Sequence, residues 1–348
     1  MFSRCSSLKE IDVSEFKTSN VITIGNMFAD CVNLTSIDVS HFDVRKVSSL
    51  GGLFRNCSKL TKIDVTNFKT ESLTMIGNMF EYCSSLSSID ISGFDMSKVF
   101  SASSLFNGCK SLRSLDLRNF DGNLLRDTNY LFKDCESLTS LDLSNFGAKS
   151  ITSMYGMFKG CKNLETVKIN NMITSSVTDM SELFSGCENL KNVDLSNFDT
   201  SLVRTTEKMF YSCHSLTSLD LRNFDMDWNR KFGYMFSNCT SLEYLNMAFS
   251  TKEATDMQFM FEGCSLLKEI NLGKFFTESV TNMRSMFASC SGIEFLDLTS
   301  FNTKKCTNFN NMFDNVRNLT VKIKSENNEN LINELKNYEE IQINTEIF

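Results

Sequence analysis

The cysteines of this chain recur at one fixed interval, and that interval limits the possible folds more than any other feature. Successive cysteines stand 26 residues apart, with a single 25-residue step, at Cys5, Cys31, Cys57, Cys83, Cys109, Cys135, Cys161, Cys187, Cys213, Cys239, Cys264 and Cys290. A Met-Phe or Leu-Phe pair begins four residues before each cysteine, and a leucine or isoleucine stands three residues after it. The chain is therefore about thirteen copies of one unit, a pattern that builds solenoids.

One unit, residues 18–43, indicates what each copy folds into. Thr18, Ser19 and Asn20 are residue types that cap helix N-termini. Apolar residues then recur at steps of three and four, which is typical of a buried helical stripe, at Val21, Ile24, Met27, Phe28 and Cys31. A short strand-like alternation follows at Leu34, Ile37 and Val39. We therefore predict an α/β solenoid of the leucine-rich-repeat type, with a parallel sheet on its concave side and short helices on its convex side.

The repeat also predicts the domain organisation. We expect a single solenoid over residues 1–323 and a C-terminal cap of one helix and one strand over residues 324–348, where the repeat loses its register. Solenoids normally begin with an atypical capping unit, and none is visible before the first repeat. We therefore expect the chain to be part of a longer protein.

Composition excludes some classes of function. The net charge of −7, from 42 acidic and 35 basic residues, argues against nucleic-acid binding. No apolar run is long enough to cross a membrane. His41 and His214 lack nearby catalytic partners in the repeat, and no phosphate loop or nucleophile motif is present. We expect neither an enzyme nor a cofactor.

The cysteine column allows three interpretations: zinc ligands, disulfides or buried thiols. Structural zinc sites need closely spaced pairs, which a 26-residue spacing does not provide. Disulfides need convergent side chains, whereas equivalent side chains of stacked units lie parallel. We therefore predict buried free thiols that act as small apolar fillers, and the same for Cys306 at a valine position of the repeat.

The unit resembles the repeat of the BspA-like leucine-rich-repeat family. Residues 183–210 carry the resemblance well, at Cys187, Leu190, Val193, Asp194, Leu195, Ser196, Phe198, Asp199, Thr200, Ser201 and Val203. The resemblance covers residues 1 to about 320 and implies a protein that binds or adheres, at the cell surface or secreted, with no catalytic residues. A cytoplasmic location remains the alternative, because the chain shows no signal peptide.

An aspartate column lies between the core positions of the predicted strands, at Asp12, Asp38, Asp64, Asp90, Asp116, Asp142, Asp194, Asp220 and Asp297. These side chains must point away from the core, and stacked like charges repel one another. One interpretation is hydrogen bonding to neighbouring hydroxyl groups such as those of Ser88 and Ser140. The other is a cation or a basic partner along the open face.

Departures from the repeat mark candidate contact residues on this face. Lys168 replaces the aspartate, Asn246 and Asn271 remove its charge, and Tyr244 and Phe295 place aromatic rings where other units carry Ser or Thr. Aromatic residues and arginine are enriched at interfaces. The predicted binding residues are Asp116, Asp142, Lys168, Asp194, Asp220, Tyr244, Asn246, Phe295, Arg113, Arg118 and Arg222. We expect a protein or glycan partner here; the alternative is an intracellular structural scaffold.

Overall fold

A computed structural model describes residues 1–117 and 120–346, with the side chain of Glu346 excepted. The chain divides into two compact units, Met1–Ser176 and Val177–Phe348. The strands are β1 Ser140–Asp142, β2 Thr166–Lys168, β3 Ser218–Leu221, β4 Tyr244–Met247, β5 Phe295–Asp297, β6 Leu319–Lys324 and β7 Ile341–Glu346, and the helix is α1 Glu329–Leu335.

In the first unit, strand β1 pairs in parallel with β2, with Leu141 opposite Val167 and Asp142 opposite Lys168. A second line of parallel pairing joins residues one repeat apart, in the order Thr23, Ser49, Met75, Ser101, Asp127 and Ser153. Backbone amides of one repeat thus donate hydrogen bonds to backbone carbonyls of the next repeat, as from Asn26 to Gly51. The prediction of a parallel-stranded solenoid is confirmed.

The second unit has the same construction. Strand β3 pairs in parallel with β4, and β5, β6 and β7 form a three-stranded parallel sheet. The second line of bridges runs through Asp179, Thr205, Lys231, Asp256, Asn282 and Asn308. Helix α1 connects β6 to β7, and its buried residues are Leu331 and Leu335.

The predicted convex helices do not form: in the described residues, α1 is the only helix. Where a helix was expected, the backbone makes tight turns with left-handed residues at two positions four apart, as at Asn26 (φ 56°) and Asp30 (φ 62°). Successive amides alternate between two kinds of partner. Met27 N–H donates within the turn to Ile24 O, and Phe28 N–H donates to Leu53 O of the next repeat. Left-handed residues interrupt the α-helical i to i−4 pattern, which explains the difference.

Phenylalanine rings fill the core in rows. In the first unit the rings of Phe80, Phe106, Phe132 and Phe158 stack with centroid distances of 5.8, 6.0 and 5.7 Å. In the second unit Phe184, Phe210 and Phe236 continue the pattern at 5.6 and 5.8 Å. These distances lie in the range of favourable aromatic pairs, so each ring stabilises the neighbouring repeats.

The cysteines are free, and all of them except Cys5 are buried, as predicted. Their thiols also make a hydrogen bond that the sequence did not reveal: Cys135 Sγ–H donates to the carbonyl of Phe106 in the preceding repeat at 3.2 Å. The equivalent bond is made by the thiols of Cys31, Cys57, Cys83, Cys109, Cys161, Cys213, Cys239, Cys264 and Cys290, among others. Burial raises the pKa of the Cys57 thiol to about 12, which keeps it protonated as a donor.

A row of buried threonines joins the repeats near the turn after each strand. Thr200 Oγ1 accepts a hydrogen bond from the Asp225 amide at 2.8 Å, and Thr277 Oγ1 accepts one from the Asn302 amide at 2.8 Å. Each hydroxyl also donates to a carbonyl of the next repeat, so the buried polar atom is satisfied twice.

Candidate functional site

The aspartates of the open face close the turns that follow the strands. At most of them, Oδ1 accepts a hydrogen bond from the amide two residues later, as in Asp38 from Ser40 at 2.9 Å and Asp194 from Ser196 at 3.0 Å. This Asx turn recurs at Asp12, Asp38, Asp64, Asp90, Asp142, Asp194, Asp220 and Asp297. The aspartate column therefore has a structural role in the repeat.

Hydroxyl groups reinforce several of these turns. Ser40 Oγ–H donates to Asp38 at 2.7 Å, and the Ser144 hydroxyl donates to Asp142. These hydroxyls come from the residue two positions after the aspartate, whereas Ser88 and Ser140 lie two positions before one. The hydrogen bonds from Ser40 lower the pKa of Asp38, because they stabilise its charged form.

The neutral substitutions show that an acceptor oxygen suffices here. Asn271 keeps the turn, because its Oδ1 accepts from the Gly273 amide at 3.0 Å. Asn246 lies in β4, just before the point where the 25-residue repeat has lost one residue. The charge of the column is thus dispensable where its hydrogen-bond geometry is kept.

Basic side chains offset part of the remaining charge. Lys168 Nζ lies 3.0 Å from an Asp142 oxygen across the β1–β2 pair, and Arg222 lies 2.7 Å from Asp220. These pairs are solvent-exposed and contribute little stability each. Within residues 1–117 and 120–346, no three metal-ligating side chains come together as a cation site.

The predicted binding residues do not form one site. In the first unit, Asp142 and Lys168 form the ion pair above, while Asp116 and Arg113 are exposed. In the second unit, Asp194, Asp220 and Arg222 line a shallow depression of about 480 Å³. Arg118 lies outside the described residues. Tyr244, Asn246 and Phe295 belong to a larger feature.

A groove of about 1070 Å³ opens on the sheet face of the second unit. Its lining residues are Glu243, Tyr244, Leu245, Asn246, Lys268, Glu269, Ile270, Asn271, Ser291, Gly292, Glu294 and Phe295. Tyr244 is 56% exposed and Phe295 is 51% exposed, although both are large and aromatic. We call this feature the Tyr244–Phe295 groove.

The groove lies where the sheet is interrupted. In the preceding repeats the amides of Thr217 and Glu243 each donate to a carbonyl one repeat back, at 3.3 and 3.0 Å. In the part of the chain that the structure describes, the amides of Lys268 and Glu294 make no such bond, and the pairing resumes with Thr320 to Glu294 O at 2.9 Å. The repeat between β4 and β5 thus contributes no paired strand, as is also true of the described repeats before β1.

Glycine is required at one edge of the groove. A Cβ at Gly292 would lie 2.8 Å from Ser265 O and 2.9 Å from Leu267 O, closer than side-chain carbons approach backbone oxygens. Gly292 therefore allows its repeat to pack closely against the backbone of the preceding repeat at the edge of the groove.

Sequence reasoning identified the two aromatic residues but missed the charged residues between them, which are Glu243, Lys268, Glu269 and Glu294. A signal was present. The 25-residue step between Cys239 and Cys264 falls in the same segment, and Glu269 occupies the Ser or Thr position of the repeat. Aligning the repeats across that step places Glu269 in one row with Tyr244 and Phe295.

The parallel ladders, the leucine positions and the stacked rows define a leucine-rich-repeat-like solenoid. The chain belongs to the family described as "Mycoplasma protein of unknown function, DUF285", whose profile matches residues 1–120, 83–168, 126–249 and 245–347. A comparison with curated proteins gave no match.

Two solved structures are similar at low identity. A TLR13–ssRNA13 complex has 17% identity and a TM-score of 0.30, with 91% of this chain and 48% of that chain covered. A leucine-rich repeat protein from Eubacterium ventriosum ATCC 27560 has 17% identity and a TM-score of 0.35, with 76% and 78% covered. The chain thus spans about half the length of the first of these. None of the described helices is long and apolar enough to span a membrane.

Proposed function

We propose that this chain is a non-catalytic binding solenoid that holds a protein or glycan partner on its open sheet face. The observation that carries the proposal is the Tyr244–Phe295 groove, where two large aromatic side chains are exposed to solvent on the sheet face. Exposed aromatic residues in a concavity are typical anchors of interfaces.

The contrast with the rest of the face supports this assignment. Most equivalent positions in other repeats carry small polar residues such as Ser36, Ser88 and Ser218. Neither Tyr244 nor Phe295 contributes to the buried ring rows, so their exposed area does nothing for the core. Residues Asp194, Asp220 and Arg222 flank the groove in the proposed contact surface.

The resemblance to BspA-like repeats favours a role at the cell surface, within a larger surface protein. An intracellular scaffold is the alternative, and one observation favours it. The aspartate column is explained by Asx turns alone, so most of the open face needs no partner. The groove is the part of the face that this structural role does not explain.

Adhesion of protein-coated beads to cultured animal cells tests the proposal. We expect the double variant Tyr244→Ser, Phe295→Ser to reduce bead retention by about tenfold, because two anchor side chains are removed. The matched control is Phe100→Ser, Trp228→Ser, which removes aromatic residues that are 45% and 55% exposed elsewhere. Both variants should melt at the wild-type temperature, since exposed side chains contribute little to folding.

The outcomes separate the candidates. Loss of retention in the groove variant with retention by the control supports the binding role. Equal retention by both variants removes the groove from the proposal. Wild-type beads that fail to adhere favour the intracellular scaffold.

A further inference from the structure

The Tyr244–Phe295 groove contains a row of three side chains with complementary chemistry. Tyr244, Glu269 and Phe295 occupy the same position of three successive repeats, five residues after Cys239, Cys264 and Cys290. All three side chains are exposed and line the groove. The row therefore reads aromatic, carboxylate, aromatic.

The spacing of this row suits a cation. The outer members stand two repeats apart, which at the spacing of stacked strands corresponds to roughly 10 Å. A cationic group midway lies about 5 Å from each ring, within the range of cation–π attraction. Glu269 belongs to the repeat between the two rings, so its negative charge and the rings favour a cation in the same part of the groove.

The charges around the row are mostly negative. Glu243 and Glu294 also line the groove, against the single cation of Lys268. In contrast to the Asp220–Arg222 pair, none of the three glutamates forms an ion pair within the described residues. A neutral glycan can donate hydroxyl hydrogen bonds to these carboxylates but leaves their charge unpaired, and an acidic glycan is repelled by them.

We propose that the groove binds an extended basic peptide, with one lysine or arginine side chain between Tyr244 and Phe295 and above Glu269. This inference rests on the proposed function, since it names the partner of the same groove. The exposed, interrupted sheet lets the peptide backbone lie along the face while its basic side chains reach the three glutamates.

Fluorescence anisotropy with a labelled peptide of alternating serine and lysine tests the inference. We expect the wild-type chain to bind it, and Glu269→Gln to weaken the affinity by about threefold to fivefold. The matched control is Glu10→Gln, which removes a carboxylate at the same repeat position beside Ser36, where no ring is present. The control should bind like the wild type, and added salt should weaken binding in all three proteins.

The comparison uses two further probes, a peptide of alternating serine and glutamate and the neutral oligosaccharide maltohexaose. Failure of the lysine peptide to bind at millimolar concentration overturns the inference, as does equal weakening by Glu269→Gln and Glu10→Gln. Maltohexaose binding that is lost in Tyr244→Ser, Phe295→Ser but unchanged in Glu269→Gln keeps the groove as a binding site and rejects the basic peptide. Lysine-peptide binding that Tyr244→Ser, Phe295→Ser leaves unchanged rejects both proposals for the groove.

Discussion

The stacked phenylalanines allow the coupling between repeats to be measured. Phe132 is fully buried and stacks on Phe106 at 6.0 Å, with ring planes 4° apart. Phe80 lies one repeat before Phe106, and the centroids of these two rings are 5.8 Å apart. A double-mutant cycle with Phe→Leu changes compares the neighbouring pair Phe106 and Phe132 with the separated pair Phe80 and Phe132.

The expected magnitudes follow from the row. Each Phe→Leu change keeps an apolar side chain, so it costs less than the roughly 3–5 kcal/mol of Phe→Ala in a core. The neighbouring pair also loses its ring interaction, which is worth about 0.5–1.5 kcal/mol and appears as coupling energy. Phe80 and Phe132 stand two repeats apart with Phe106 between them, so their coupling should stay below about 0.5 kcal/mol.

Urea unfolding followed by circular dichroism supplies the free energies of unfolding for both cycles. Coupling confined to the neighbouring pair supports the nearest-neighbour arrangement. Equal coupling in the two pairs, or none in the neighbouring pair, would refute the stacking of equivalent side chains.

Three other perturbations have definite expected outcomes. Asp38→Asn keeps the acceptor of the Asx turn and should unfold at the wild-type urea concentration, whereas Asp38→Ala should unfold at a lower one. Asn311 has φ 61°, so Asn311→Val should lower the free energy of unfolding by about 1–2 kcal/mol while Asn311→Gly leaves it nearly unchanged. Hydrogen bonds from Ser144 and Lys168 lower the pKa of Asp142 from 3.8 to about 2. Its stabilising effect is present above pH 4 and is lost as pH falls toward 2, so the urea midpoint should fall over that range and should fall less in Asp142→Asn.

The sequence allowed the rows to be predicted because equal spacing places equivalent residues of stacked repeats side by side. The burial of Cys31 and Cys306, the buried phenylalanines and the parallel pairing follow from that one property. The boundary at residues 323 and 324 remains a prediction.

The prediction of a helix in each repeat was wrong because two backbone conformations bury apolar residues at the same sequence spacing. Buried residues at steps of three and four suit a helix, but they also suit successive tight turns with left-handed residues between them. The sequence contained the distinguishing signal: Asn26 and Asn78 stand at one left-handed position, and Asn56 and Gly108 stand at the other. Asparagine and glycine tolerate positive φ and are poor helix formers, so their recurrence four residues apart favours turns.

The candidate site was predictable in part. The aromatic residues Tyr244 and Phe295 depart from the repeat and can be recognised in the sequence alone. The groove between them and the close approach at Gly292 are properties of the backbone in three dimensions, which the sequence pattern does not show. Glu269 could have been recognised by aligning the repeats across the 25-residue step, which places it in one row with Tyr244 and Phe295.

Thiol reactivity tests most directly whether the repeats stack into continuous rows. With a thiol reagent such as Ellman's reagent, the account predicts that Cys5 reacts rapidly in the native protein. The other cysteines are buried and should react only after denaturation. Rapid modification of several cysteines in the native protein would contradict the stacked, thiol-lined core.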